Sequence, residues 1–485
     1  MDDTTFGDIG IKPWLCKAAS EVGIVNPTEI QKKSIPAVLS GNHVIGGAHT
    51  GSGKTAAFAL PVIQDLSNDP YGIFCVVITP TRELAIQIAD QIKIFTASMT
   101  VEVELVIGGM DFVEQSLNLK NFPHFIVATP GRLASHLETP DDELKTALSN
   151  VKYLVLDEAD RFVNDDCFLP DLKIIFEHLP KERQTLLFSA TVTDNMKNRP
   201  DILEGVIGEI EEEQKTSKSV ESINLNIDIR HTIKGLQQKY CLVPESTKEI
   251  HLINFLKKMI NTDRGVRSCI IFTSTIEKCN FLKLFLEEMN QKATCIHSLL
   301  PLHQRMKNLF LFKAERIPVL VATDLASRGL DIPSVDLVIN FDVPVEPIDY
   351  VHRTGRTARA GRGGMAITFI TQYDIKLIYS IEEYASVKLE EVDAELQSTE
   401  DQVLDDMALV SKVSQSLRIM ISESGFEDKL EQYRKQKHNF KNRTSEKAEK
   451  AKKKSKNISG YQQRKRRKDF KHNGKNKQKR AKKTE

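Results

Sequence analysis

A chain of 485 residues is too long for one ordinary core and, at about 150 residues per domain, predicts two to four structural units. Forty per cent hydrophobic residues is a globular composition, and no window approaches the roughly 20 apolar residues that cross a bilayer, which excludes a membrane-spanning role. The net charge of +1 conceals an asymmetry, because positions 434–485 hold 23 Lys or Arg against 4 Asp or Glu and leave 44 basic and 62 acidic residues in positions 1–433. Bulk attraction of polyanions is thereby excluded for the body, and any nucleic-acid site there must be local.

The N-terminus, MDDTTFGDIG, lacks a basic n-region and an apolar h-region, so an intracellular protein is expected. The seven cysteines are odd in number and form no CxxC pair, which predicts reduced, buried thiols. The first buried strand is predicted at His43-Val44-Ile45 from its short β-branched run. It leads into Ala48-His49-Thr50-Gly51-Ser52-Gly53-Lys54-Thr55, after which Ala56, Ala57 and Phe58 continue a helix. Strand, loop and helix together read as a phosphate loop, with Ala48 where the strict pattern has Gly. Gly51 and Gly53 let backbone N–H groups wrap a phosphate chain, the helix N-terminus adds positive potential, Lys54 can meet the β and γ phosphates, and Thr55 can ligate Mg²⁺.

Further strands are predicted over 74–79, 124–129, 153–157 and 185–189. The third of these ends in Asp157-Glu158-Ala159-Asp160. There Asp157 can hold Mg²⁺ through water, and Glu158 can position or deprotonate the water attacking the γ-phosphate. Alone, such a run is equally an acidic helix start favoured by the macrodipole; Lys54 on a neighbouring strand decides for the metal–nucleotide reading. After a polar, acidic interval around 209–218, strands recur over 269–273, 319–323, 337–341 and 366–370. Strands alternating with helices predict an α/β fold of two tandem doubly wound parallel sheets, with ligands beyond the carboxyl ends of the strands. The expected divisions are a flank at 1–31, a first domain at 32–215, a linker at 216–235, a second domain at 236–380, a charged helical extension at 381–433, and a basic tail at 434–485. The tail has too little apolar surface to fold alone and is expected to be disordered.

Together these motifs resemble the DEAD-box family of RNA helicases, whose name Asp157-Glu158-Ala159-Asp160 spells, over about residues 6–372. The resemblance implies two RecA-like domains, ATP and Mg²⁺ as cofactors, and RNA-dependent ATP hydrolysis. Pro27-Thr28-Glu29-Ile30-Gln31 is similar to the family's adenine-reading segment; Gln31 would then bond the base edge and Phe6 would stack on it, with core packing of Phe6 as the alternative. The implied ATP-binding set is Phe6, Gln31, Thr50, Gly51, Ser52, Gly53, Lys54, Thr55 and Asp331.

Pro80-Thr81-Arg82-Glu83-Leu84-Ala85, Gly108-Gly109 and Thr129-Pro130-Gly131-Arg132 match the first-domain RNA segments, which implies RNA contacts from Pro80, Thr81, Arg82, Gly109, Thr129, Pro130 and Arg132. Hydroxyls, glycine amides and arginines suit phosphates and 2′-hydroxyls and read no bases. Arg305 and Thr323 are the implied second-domain contacts. Ser189-Ala190-Thr191 looks like the coupling motif, acting with Asp160 and His352 to link nucleotide state to domain closure. Thr323-Asp324 through Ser327-Arg328-Gly329-Leu330-Asp331 resembles the segment touching both RNA and nucleotide, with Ser327 for the usual Ala. His352 to Arg359 resembles the arginine-finger motif. Arg356 and Arg359 would neutralise charge on the γ-phosphate once the domains close, whereas Arg353 also reads as a plain ion-pair partner.

One departure stands out. Leu302 occupies the place of the Gln that normally precedes Arg305 by three residues, which removes that Gln's interdomain bond and implies weaker coupling or a protein activator. Gly46-Gly47-Ala48 and Ala358-Arg359-Ala360-Gly361-Arg362 resemble most the nucleolar members acting in small ribosomal subunit assembly. That implies a monomeric motor in the nucleus and nucleolus, acting on pre-rRNA and pre-ribosomal particles. Alternative readings are an RNA clamp or assembly scaffold that unwinds little and a DNA-directed motor, and the tail alone also suits a nuclear-import signal.

Overall fold

The computed structural model describes residues 4–48, 51–189, 220–224, 235–260, 266–324, 332, 334–358 and 363–435. Of the residues singled out above, 49–50, 190–191, 327–331 and 359–362, with Thr50, Thr191, Asp331 and Arg359 among them, lie outside the described residues, as do most of the expected linker at 216–235 and positions 436–485 of the tail.

The first sheet comprises β1 (His43–Gly47), β2 (Cys75–Ile78), β3 (Val103–Val106), β4 (Phe125–Ala128), β5 (Tyr153–Asp157), β6 (Gln184–Ser189) and β7 (Val220–Asn224), ordered β3-β4-β2-β5-β6-β1-β7. The second comprises β8 (Leu236–Leu242), β9 (Cys269–Phe272), β10 (Ala293–Ile296), β11 (Val319–Ala322), β12 (Leu337–Asn340), β13 (Gly364–Ile370) and β14 (Glu390–Glu391), ordered β10-β11-β9-β12-β13-β8-β14. Counted from its own first strand, each sheet runs 3-4-2-5-6-1-7, and the strand pairs are parallel in both. The two domains are topological copies.

Crossover helices cover both faces of such sheets, so their inner strands are apolar throughout. β2, β4, β5, β9, β11 and β12 are buried at every position. Successive residues then serve opposite faces: Val77, Val127 and Val155 enter one cluster and Val76, Ile126 and Leu154 the other. Five of the seven cysteines are buried, and all seven are free thiols. Among the described residues no helix is long and apolar enough to cross a membrane.

The chain past 380 differs from one continuous helical stretch. The helix Ile375–Ala385 ends at Ser386, β14 joins the sheet beside β8, and only then does the helix Glu400–Glu423 begin, capped by Thr399 with Gln402. The turn before β14 rests on Ser386 in the left-handed conformation (φ 51°).

Candidate nucleotide and RNA site

Register brings the phosphate loop and the acidic run together. Gly47 of β1 lies opposite Ser189 of β6, and Asp157 of β5 opposite Phe188, so three strand ends converge. Ala48 donates its N–H to the Ser189 carbonyl at 3.0 Å. The loop then turns through Gly51 (φ 81°) and Gly53 (φ 88°), backbone angles that side chains resist, into the helix Lys54–Leu66. Asp157 Oδ1 accepts the Glu158 N–H at 3.0 Å, and Glu158 itself takes the left-handed conformation (φ 53°, ψ 47°). Strain of this kind, of order 1–3 kcal/mol, persists where surrounding structure over-determines a residue.

A cavity of about 500 Å³ is lined by Gly51, Gly53, Lys54, Asp157 and Glu158 from the first domain and by Arg356 from the second. Lys54 is 7% exposed and Glu158 5%, yet Lys54 Nζ, Ser52 Oγ and Glu158 Oε2 have no hydrogen-bond partner. Buried polar atoms without partners are costly and call for an occupant. Burial first, then the charges of Asp157 and Asp160, push Glu158 up to about 7 against the pull of Lys54 and Arg161. Burial likewise raises Asp157, opposed chiefly by Lys54. The site is an anionic pair facing a cation, suited to a polyphosphate with a divalent metal. Thr55 also lines the cavity, so hydroxyl and carboxylate oxygens, the donors a hard cation takes, are at hand.

Gln31 is buried with both polar ends engaged. Its Oε1 accepts the Thr28 N–H at 2.9 Å, completing a capping box, and its Nε2 donates to the Gly53 carbonyl at 2.9 Å. It therefore ties the helix Glu29–Leu39 to the phosphate loop. Phe6, 3% exposed, belongs to the first-domain core and does not line the cavity; core packing is the reading its position favours. Aliphatic Val22 and Ile24 line the cavity instead. Sequence reasoning passed over both, since neither carries a polar signal.

The RNA candidates gather at the other half of the first sheet, beyond β2, β3 and β4. Thr81 caps the helix Arg82–Phe95 by accepting the Leu84 N–H, and Pro80 precedes it. The Arg82 guanidinium lies against Gly108 and Gly109, where an added Cβ would approach it to 3.0 and 2.9 Å. Arg132 donates to the carbonyls of Ile107 (3.1 Å) and Met110 (2.6 Å) and covers the Phe112 ring; Thr129 and Pro130 start its helix. In the second domain Thr323 follows β11, with its N–H on the Ile296 carbonyl. Arg305 is 6% exposed and pairs with Glu83, itself 2% exposed. Glu83 is a further residue that sequence reasoning missed, although it sits inside the quoted Pro80–Ala85 run.

Ser189, Asp160 and His352 are buried; none lines the cavity. Arg353 is wholly buried, bonds Asp324 at 2.6 and 2.9 Å and the Asp342 carbonyl at 2.8 Å, and lies over the Phe272 ring. It is the ion-pair partner, while Arg356 faces the phosphate loop.

Comparison with known proteins agrees with this geometry. The DEAD/DEAH box helicase family matches residues 28–198, and the helicase conserved C-terminal domain matches residues 251–361. DEAD-box ATP-dependent RNA helicase 36 of Arabidopsis thaliana is 42% identical over 435 residues, covering 89% of this chain and 84% of the relative. ATP-dependent RNA helicase dbp8 of Schizosaccharomyces pombe is 40% identical over 466 residues, covering 93% and 97%. Among solved structures, the DEAD-box helicase Mss116 bound to ssRNA and UDP-BeF is similar with a TM-score of 0.70 at 26% identity, covering 87% of this chain and 88% of that one. Two duplicated parallel sheets, a phosphate loop facing Asp157-Glu158-Ala159-Asp160, and relatives matched over most of both chains make one statement: the chain belongs to the DEAD-box family of ATP-dependent RNA helicases.

Proposed function

We propose that the chain is a closing motor: ATP held between Lys54 and Arg356 draws the domains together on RNA, and the closed state admits only a bent strand, so a short duplex opens. The observation that carries this is the pair of buried, partnerless atoms on Lys54 and Glu158 in a cavity that the second domain completes with Arg356. Lys54 binds the β and γ phosphates. Glu158 accepts a proton from the attacking water, a role to which a carboxylate raised to about 7 is suited. Arg356, with Arg359, offsets charge on the transferring group, and because it comes from the second domain hydrolysis waits for closure. Thr55 and Asp157 would hold Mg²⁺, which supplies charge neutralisation on the phosphates when bound.

The RNA partners are Pro80, Thr81, Arg82, Gly109, Thr129, Pro130, Arg132 and Thr323, none of which needs a particular base; Arg305, expected among them, is instead buried against Glu83. Ser189, Asp160 and His352 relay nucleotide state. The 23 Lys or Arg of positions 434–485 add affinity by counterion release. Such a tail suits densely folded RNA, and pre-rRNA of the small ribosomal subunit, in the nucleolus, is the substrate we assign.

A blunt 10-base-pair RNA duplex tests the motor reading. Strand separation with ATP, none with ATP and Glu158→Gln, and none for the matching DNA duplex are expected. Separation that persists without nucleotide would refute it.

A further inference from the structure

Two cysteines of the second domain meet outside the nucleotide and RNA sites. Cys295 lies in β10, the edge strand of its sheet, opposite Val321 of β11. Cys279 belongs to the helix Ile276–Glu288 that precedes β10, and its sulfur lies 3.5 Å from the Val321 carbonyl and 3.8 Å from the Ile296 carbonyl. Alternate strand residues serve opposite faces: Cys295 and Val321 share one core cluster with Cys279, whereas Ile296, Leu320 and Ala322 belong to the other. The Cys279 sulfur therefore sits over the Cys295–Val321 pair, on the face to which Cys295 points, and the two thiols are hydrogen-bonded.

A third group joins them. His297, two residues from Cys295 and on the same side of the strand, is 1% exposed, and neither ring nitrogen has a hydrogen-bond partner. A buried imidazole left so calls for an explanation. Phe426 covers the ring edge-on, with centroids 6.4 Å apart, and Lys283, one turn from Cys279, is paired with Glu287. Among the described residues no three such side chains are set to hold a metal ion, so the cluster is a dithiol with a base beside it. The electrostatics agree. The hydrogen bond from Cys279, and after it His297, hold the Cys295 thiol below the ordinary range against burial, whereas burial raises Cys16, Cys75, Cys167, Cys241 and Cys269. Exposure separates the pair further: Cys295 is 5% exposed and Cys279 0%.

We propose that Cys295 and Cys279 are a dithiol oxidised by hydrogen peroxide, in which Cys295 is the attacking sulfur, His297 takes its proton, and Cys279 closes a disulfide between the helix Ile276–Glu288 and β10. In the first step the Cys295 thiolate attacks the peroxide and the O–O bond breaks. The sulfur is oxidised to a sulfenic acid, and the released hydroxide takes the proton from His297 and leaves as water. In the second step the Cys279 sulfur attacks that of Cys295: the S–S bond forms, the S–O bond breaks, and the departing hydroxide carries off the Cys279 proton as a second water. A dithiol reductant reverses the bridge by exchange. Neither cysteine lines the nucleotide cavity, so the inference stands apart from the motor reading.

The full chain, freed of reductant, is treated with hydrogen peroxide at pH 7, alkylated, digested and mapped by mass spectrometry. A Cys279–Cys295 disulfide is expected to form at least about tenfold faster than any oxidation of Cys16 or Cys167, since the thiolate is the reactive form, although both of those are the more exposed. Dithiothreitol should remove it. Cys279→Ser is expected to leave Cys295 as a sulfenic acid that dimedone captures, and His297→Ala to slow the bridge at least about tenfold. Cys295 remaining alkylatable while Cys16 or Cys167 is oxidised would overturn the proposal, and the wild-type map decides this even where a variant fails to fold. A bridge that forms as fast in a folded His297→Ala variant would overturn the part given to the imidazole.

Discussion

Glu158→Gln is expected to stabilise the first domain while abolishing turnover. In the folded chain, burial and the neighbouring Asp157 and Asp160 raise this carboxyl from 4.5 to about 7. An acid whose pKa rises on folding binds more protons folded than unfolded, so the linked stability is full below about 4.5 and is lost as pH climbs through about 7. A rise of this size, at about 1.4 kcal/mol per pKa unit, makes the ionised carboxylate cost about 3 kcal/mol at pH 8. Gln keeps the neutral shape at every pH. The gain from the substitution should therefore be about 3 kcal/mol at pH 8 and shrink towards zero near pH 4.5. Trp14, the chain's single tryptophan, packs against the first-domain core, so its fluorescence in urea follows that domain's own transition. The measurement is made metal-free and without nucleotide, because a bound cation would invert the local charge balance. A variant no more stable than wild type at pH 8, or a gain that does not vary with pH, would refute the reasoning.

Gly53→Ala should cost at least about 1–2 kcal/mol in urea unfolding, the penalty for a left-handed alanine, because Gly53 has φ 88° and its Cβ would stand 2.3 Å from Gln31 Nε2; binding of a fluorescent ATP analogue should vanish with it. Gln31→Ala removes the bonds to Thr28 and Gly53 and is expected to lose about 1–2 kcal/mol and to raise the KM for ATP about tenfold; an unchanged KM would show that the tie to the loop does not matter. Arg353→Ala removes the guanidinium that Asp324 and the Asp342 carbonyl share. Loss of a buried pair costs about 3–5 kcal/mol, reduced here to about 2 because the Asp324 side chain is 40% exposed; thermal denaturation of the second domain measures it.

The sequence revealed the inner strands and hid the outer ones. β2, β5, β9 and β12 are continuous apolar runs because helices bury both faces. β3, with Glu104 in its centre, lies at the sheet's edge, and β8, Leu236-Gln237-Gln238-Lys239-Tyr240-Cys241-Leu242, is half polar though it pairs on both sides. Their partners, not their composition, make them strands. β10 is buried throughout but reads as Ala-Thr-Cys-Ile, too mild a pattern to single out. In the site, charged and glycine-bearing positions were legible because phosphate chemistry demands those residue types: Lys54, Asp157, Glu158 and Arg356 line one cavity. Apolar contributors were not. Val22 and Ile24 are ordinary aliphatics that only the folded chain brings to the cavity, and Leu302, marked in the sequence as the loss of a polar bond, packs against the opposing domain instead. Phe6 shows the converse, an aromatic with a suggestive position that the core absorbs.

Steady-state ATP hydrolysis with and without single-stranded RNA tests the central claim most directly. With Lys54 and Glu158 in one domain and Arg356 in the other, RNA should stimulate turnover on the order of tenfold or more by favouring closure, and Arg356→Ala should remove the stimulation. Hydrolysis indifferent to RNA, or equally fast in the Arg356→Ala variant, would contradict a motor whose catalytic site is completed only when the domains meet.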